Sequence, residues 1–344
     1  MSPSARHLRP RISVVVPAYN EARNLPTLLV QLGDALRALT DDWEVIVVDD
    51  GSRDDTPLVM LPWTREPGVR LLRLSRNFGK ECALTAGIDH AAGEVVVLMD
   101  ADLQHPPSMI ASMLAAWQRG ADMVCTARRS RADERLLKRW GARLFYWLIN
   151  RNPSISIPID AGDFRLMDRA VVEALRALPE RNRFMKGLYA WVGFRTEVID
   201  YMPAERMQGV SSFSLKRLTR LAFTGVTAFT NFPLRLWSGV GAVVAVCALG
   251  YGLVIVVDHF LHGSDVAGWP TLVAGMMFFS GVQLISIGIL GEYVGRIFDE
   301  VKQRPIYLIG AETGRATFDA QRREAGSPPP REAANVHSLA RSSH

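Results

Sequence analysis

The chain has 344 residues, 48% of them hydrophobic, a net charge of +5 and three cysteines. That length allows one large domain or two ordinary ones. Cys82, Cys125 and Cys247 share no CxxC spacing, which excludes a disulfide framework or a zinc site. "MSPSARHLRP" is basic but has no apolar run behind it, so it does not read as a secretory leader.

From Ile12 short apolar runs alternate with helix-like segments. "ISVVVP" (12–17), "EVIVVDD" (44–50), "VRLLRLS" (69–75) and "EVVVLMD" (94–100) are rich in β-branched residues, as strands buried on both faces are. "EARNLPTLLVQLGDALRAL" (21–39) and "GKECALTAGIDHAAG" (79–93) between them have helical spacing. This β-α alternation predicts a mostly parallel sheet with helices on both faces. No GxGxxG follows the first strand, so a dinucleotide site of the usual kind is not supported. Polar clusters instead follow the strands: "PAYNE", "DDGSRDDT" and "DADLQ". Ligands of open α/β sheets bind outside the carboxyl ends of the strands, so the clusters are expected to share one crevice.

Further on, residues 134–150 read as a helix. Residues 157–178 read as a loop carrying Asp163, then a helix starting near Asp168. "SLKRLTRLAFTGVTAF" has its leucines at helical spacing and Lys216, Arg217 and Arg220 on other faces, an interfacial amphipathic helix. Leu236–Val257 and Val266–Gly291 are 22 and 26 residues without a formal charge. Each exceeds the roughly 20 needed to cross a bilayer core. Basic residues flank the pair, and the connecting "DHFLHGSD" has neither Lys nor Arg, which puts both flanks in the cytoplasm. Basic charge gathered at this boundary argues against a nucleic-acid surface. "GEYVGRIFDEVKQRP" reads as a second short juxtamembrane helix, and the chain from Ala311 as a disordered tail. The organisation expected is therefore a disordered N-terminus (1–11), a cytosolic catalytic domain (12–213), an amphipathic helix (214–232) and a membrane hairpin (233–291). Its spans lie at about 236–257 and 268–290, followed by a juxtamembrane segment (292–310) and the tail (311–344).

Asp100 and Asp102 end a buried run. Mg²⁺ and Mn²⁺ take oxygen ligands, one or two carboxylates plus substrate phosphates, and Gln104 adds an amide oxygen. A lone DxD is a common accident; its place after "VVVLM" strengthens it. Asp49 and Asp50 can accept hydrogen bonds from a ribose or a base edge. Tyr19 offers a platform for a base, and Glu21 an acceptor. Together they describe a pocket for a nucleoside diphosphate.

"VVVPAYNE", "VVDDGS", "LSRNFGK", "LMDADLQHPP" and "AGDFRLMDR", in this order and followed by two spans and "GEYVGRIFDEVKQRPIYLI", resemble family 2 glycosyltransferases. The nearest branch is the polyprenyl-phosphate glycosyltransferases, and the match covers about 12–309. The resemblance implies a GT-A catalytic domain, a nucleotide-sugar donor such as UDP-glucose, and Mg²⁺ or Mn²⁺ held by Asp100, Asp102 and Gln104. It implies donor contacts from Pro17, Tyr19, Glu21, Asp50 and Ala101, with Arg128 near the diphosphate and Asp163 beside the reacting centre. Where the family often has Ser-Lys-Tyr or Ser-Lys-Phe, this chain has Ser211, Ser212 and Phe213. Arg206 and Lys216 are then the candidates for an acceptor phosphate.

A polyprenyl phosphate is already an anion, so alignment and relief of charge repulsion matter more than a base. Asp163 is a base or a positioning group, and in-line attack would invert the anomeric centre. The chain is expected in the inner membrane with both termini cytoplasmic, and glycines in the spans would permit a homo-oligomer. Two rival readings are a non-catalytic membrane scaffold and a processive polysaccharide synthase. The synthase is disfavoured because Leu136 stands where QxxRW needs Gln.

Overall fold

A computed structural model describes residues 6–128, 161–181, 183–201 and 268–315, with single helical positions at 243, 247, 250, 251 and 261. The helix expected at 134–150, the amphipathic helix, Arg206 and Lys216 lie outside the described residues, as does most of the first span. The chain divides into two compact units, 1–214 with 304–344, and 215–303.

The first unit is built on an eight-stranded sheet. Its first four strands are β1 (Ile12–Ala18), β2 (Trp43–Asp49), β3 (Val69–Leu74) and β4 (Val95–Leu98). The rest are β5 (Met123–Arg128), β6 (Ala161–Asp168), β7 (Thr196–Tyr201) and β8 (Ile309–Gly314). The order across the sheet is β7-β5-β6-β4-β1-β2-β3-β8. β1 pairs parallel with β2 and β4, β2 with β3, and β5 with β7; β6 and β8 run against their neighbours. This is the mostly parallel GT-A-like sheet expected from the alternation.

Each central strand buries both faces, which is why the runs are continuous Val, Ile and Leu. On one face Val14, Val16, Val45, Val47 and Val97 join a core with two helices. These are α1 (Leu25–Leu39) and α4 (Met109–Gln118). α1 buries Leu25, Leu28, Leu29, Leu32 and Leu36, a helical stripe, and Pro26 suits its first turn. Between β2 and β3 lies the short α2 (Thr56–Met60). The other face carries α3 (Lys80–His90) against β1 and β2, and α5 (Arg169–Ala177) against α3. Gly87 lets α3 lie flat on the sheet: a Cβ there would overlap the Val15 side chain. α6 (Met185–Trp191) follows α5.

Four expectations need correction. Residues 161–168 are strand β6, not a loop; the strand holds three charged residues and acquires its partners, β4 and β5, only across the sheet. Residues 311–314 belong to β8, which pairs with β3 through its backbone although "AETG" has no strand-like alternation. Residues 6–11 are not a disordered arm: Arg6 forms an ion pair with Asp122 at 2.8 Å and stacks over Trp117, 5.0 Å from the ring centre. In the second unit the expected span and juxtamembrane helix are one helix, α7 (Trp269–Val301), because Glu292, Arg296 and Asp299 leave its hydrogen-bond ladder intact. The stretch Phe278–Gly295 within it is long and apolar enough to cross a membrane. Its Phe278, Leu284, Ile287 and Leu290 are exposed.

Candidate active site

The parallel strands β1, β2 and β4 all end on the same edge. There Tyr19 to Glu21, Asp49 and Asp50, and Asp100 to Asp102 leave the sheet. Because β6 is antiparallel to β4, with Leu98 opposite Arg165, its first residues reach that same edge. Asp163 therefore comes beside Asp100 although 63 positions separate them in the chain.

The link between these two carboxylates is Lys80, the first residue of α3. Its Nζ lies 2.6 Å from Asp100 Oδ1 and 2.7 Å from Asp163 Oδ2. Burial would raise the Asp163 carboxyl, but Lys80, with Lys186 and Arg165, pulls it down to about 2. Burial would lower the Lys80 ammonium, yet the two carboxylates raise it above the ordinary lysine value. Both groups are charged at neutral pH. Glu21 faces the same edge: burial, and then the charges of Asp102 and Asp100, raise its carboxyl against a 2.7 Å hydrogen bond from Asn24. Among the described residues no cation pairs with Asp102 or Glu21. Asp102 Oδ1 accepts only the Gln104 amide, at 3.2 Å.

Asp50 organises the neighbouring loop. Its two oxygens accept the amides of Phe78 and Gly79 at 2.7 and 2.9 Å, just ahead of Lys80. Gly51 (φ 67°) makes this approach possible, since a Cβ would lie 2.5 Å from the Arg76 carbonyl carbon. Asp49 is fully buried, accepts from Ser52 N at 2.9 Å and sits 3.3 Å from Arg73 Nε. Ser52 Oγ and Thr56 Oγ1 in turn accept the amides of Asn20 and Glu21, each at 2.9 Å, pinning the β1 loop to the β2 loop. Tyr19 stands out of the sheet edge, 41% exposed.

A family model described as Glycosyl transferase family 2 matches residues 13–176, and one described as the GtrB C-terminal hairpin matches 232–297. The SfII prophage-derived bactoprenol glucosyl transferase of Shigella flexneri is 44% identical over 300 residues, 87% of this chain and 97% of that protein. The chain belongs to glycosyl transferase family 2. A prophage bactoprenol glucosyl transferase homolog of Escherichia coli (strain K12) is 42% identical, covering 87% of this chain and 98% of its own. An uncharacterized glycosyltransferase of Synechocystis is 42% identical over 87% of this chain and 94% of its own. Among solved structures, the mannosyl-3-phosphoglycerate synthase from Rubrobacter xylanophilus aligns with TM-score 0.47 at 17% identity over 68% of this chain and 75% of that one, too loose a likeness to assign anything. Family membership sets aside the reading as a non-catalytic scaffold.

In this glycosyltransferase the edge gathers Glu21, Asp100, Asp102 and Asp163. Ala101 is buried, and Pro17 is the last residue but one of β1, opposite Val48. Arg128 is the last residue of β5, its backbone opposite Tyr201. Three members of the site escaped the sequence reading. Lys80 lies inside "LSRNFGK", one of the motifs that carry the resemblance, but is given no role by it. Glu81 is pushed by burial, and then by Asp163, up to about 7, and accepts the Met185 amide at 3.3 Å. Tyr189 is buried under Arg165, whose guanidinium carbon lies 3.5 Å from the ring centre. Nothing in local spacing marks either.

Among the described residues no three His, Cys, Asp or Glu side chains form a ready-made metal cage. The donor set still fits a hard divalent cation whose coordination is completed by substrate oxygens. Among the described residues Asp102 has no counter-ion, and its charge and that of Asp100 add to burial in raising Glu21.

Proposed function

We propose that this glycosyltransferase transfers a sugar from a nucleoside-diphosphate sugar, UDP-glucose or a related UDP-sugar, to the phosphate of a polyprenyl phosphate at the cytoplasmic face of a membrane. The carrying observation is 42–44% identity over 87% of the chain to proteins named bactoprenol glucosyl transferases or their homologs. The long exposed apolar stretch of α7 supports a membrane anchor, and with 236–257 it would form the hairpin.

The chemistry of the edge agrees with a phosphate acceptor. A carboxylate pulled down to about 2 by Lys80 is a poor proton acceptor at neutral pH. A phosphate oxygen is already ionised and needs none. Asp163 is then a positioning group that orients sugar or acceptor for attack from the face opposite the leaving diphosphate, with inversion. Tyr19 and the β1–β2 loop would hold the nucleotide, while Asp50 fixes the loop that ends in Lys80. Asp100, Asp102 and Gln104 would hold Mg²⁺ or Mn²⁺, which supplies charge neutralisation at the diphosphate. Arg128 would add to that neutralisation, and Arg206 and Lys216 would receive the acceptor phosphate.

The test is a donor panel: purified full chain, polyprenyl phosphate, Mg²⁺ or Mn²⁺, and each of several nucleotide sugars, with glycolipid product scored. One UDP-sugar should give a β-linked lipid phosphate sugar. Asp102→Asn should lower turnover by about 10²-fold or more, the scale of losing one electrostatic group at a leaving oxygen. Product formed at full rate in excess EDTA would remove the metal from this scheme.

A further inference from the structure

Four carboxylates, Glu21, Asp100, Asp102 and Asp163, meet at the sheet edge. Among the described residues Lys80 is the single cation within ion-pair distance of any of them. Its position is not set by those carboxylates alone. It opens α3, and the two amides just before it are held by Asp50. Gly79 (φ 102°) turns the chain into the helix there. The ammonium is thus delivered to Asp100 and Asp163 by the scaffold. It is 43% exposed and meets both oxygens at hydrogen-bond distance, so it can keep one partner while releasing the other.

We propose that Lys80 is a built-in counter-ion that competes with the divalent cation for Asp100 and, once displaced from it, stays on Asp163 as its positioning partner. The proposal rests on the metal-dependent reading given above. Among the described residues one ammonium is in direct contact with these four carboxylates, and Lys186 and Arg165 act only from further away, on Asp163. The side of Asp102 and Glu21 therefore stays negative enough to draw a divalent ion. Lys80 lowers that attraction at Asp100, so the metal is taken up weakly until donor phosphates add their own oxygens. Binding of metal and donor together would follow from this arrangement. The exchange moves no covalent bond and no proton: Asp100 trades an ammonium for a metal, and Asp163 keeps its lysine.

The readout is binding of Mn²⁺ alone, without nucleotide, to the purified full chain, followed by the electron paramagnetic resonance of free Mn²⁺. Lys80→Met and Lys80→Gln should each bind Mn²⁺ about tenfold more tightly than the wild type. Both should melt lower than wild type in EDTA, where the carboxylates repel, and recover more on adding Mn²⁺. Lys80→Arg keeps the charge and should stay near wild-type affinity. Lys186→Met removes an equal charge that acts on Asp163 without forming an ion pair with it; its gain should be several-fold smaller. Unchanged or weaker Mn²⁺ binding by the neutral variants overturns the competition, and so does an equal gain in Lys186→Met, which would signify a general field. Absence of Mn²⁺ binding to the wild type and to both neutral variants, even with UDP added, overturns the metal-dependent reading and this proposal with it.

Discussion

At the scale of single residues, Asp50 at the end of β2 and Glu81 in the first turn of α3 are used in different ways. Asp50 spends both oxygens on backbone amides and so acts as a tertiary cap for the start of α3. Replacing Gly51 with Ala would force a Cβ against the Arg76–Asn77 peptide and add strain at positive φ. A loss of about 1–3 kcal/mol is expected, read as a lower urea midpoint with unchanged slope. Glu81 supplies a pH signature. Its folded value of about 7 lies above the 4.5 of an unperturbed glutamate, so the folded state binds the proton more tightly. Stability from this group is present below about pH 4.5 and is lost as pH rises through 7. Glu81→Gln should therefore melt higher relative to wild type at pH 8 than at pH 5. A pH-independent difference would show that Glu81 does not titrate in this window. Asp100, Asp102 and Glu21 could be picked out from the sequence because strand-end acids are locally conspicuous. Lys80 and Glu81 could not, since an exposed lysine and a glutamate in the first turn of a helix are ordinary until a distant strand gives them partners.

Among the elements, α3 is the most constrained, because it must lie flat on β1 and β2 while presenting Lys80 at one end. Its other end is held by arginines: Arg176 of α5 donates to the carbonyls of Ile88, Asp89 and Ala91, and Arg169 to those of Ala91 and Gly93. Ile88 and Asp89 lie in the last turn, where a helix leaves carbonyls without partners, and cations there also complement its dipole. Arg176→Met should cost about 1–3 kcal/mol through those unsatisfied acceptors. Gly87→Val should cost at least as much by pushing α3 off β1. Hydrogen exchange at 80–90 would show the first as faster exchange in the last turn and the second as faster exchange along the whole helix. The helical period of α1 and the β-branched runs of β1 to β4 were readable in advance. β6 was not: charged Asp163, Arg165 and Asp168 interrupt its apolar positions, and antiparallel insertion between β4 and β5 is a long-range event.

For the whole molecule, the chain leaves the sheet after β7 and re-enters it as β8, which covers the outer edge of β3. Tyr307 OH donates to Asp89 at 3.0 Å, the Ser75 amide to Leu308 O at 2.9 Å, and Arg70 pairs with Glu312 at 2.7 Å. Ending the chain at Gln303 would bare the β3 edge, and an uncovered edge strand is a template for aggregation. The truncated protein should melt lower and aggregate at concentrations where the full chain does not. Topology is testable separately. A cysteine at Ser264 should be labelled from outside intact cells and one at the exposed Asp41 only after the cells are permeabilised; the reverse would overturn the cytoplasmic placement of the sheet edge.

What the sequence by itself determined is what local pattern can encode: a parallel α/β core, strand ends rich in carboxylates, and a long apolar helix near the C-terminus. The ordered motifs were enough to recognise the family, because each keeps its residues within a few positions of one turn. Only the tertiary structure decided that the buried Asp49 pairs with Arg73, that Asp50 holds a loop, and that Lys80 joins Asp100 to Asp163. It alone showed that a polar segment after α7 is a strand. The physical reason is common to all of these. Backbone pairing across a sheet and ion pairs between distant strand ends depend on which segments become neighbours, and no property of a segment taken alone records its neighbours.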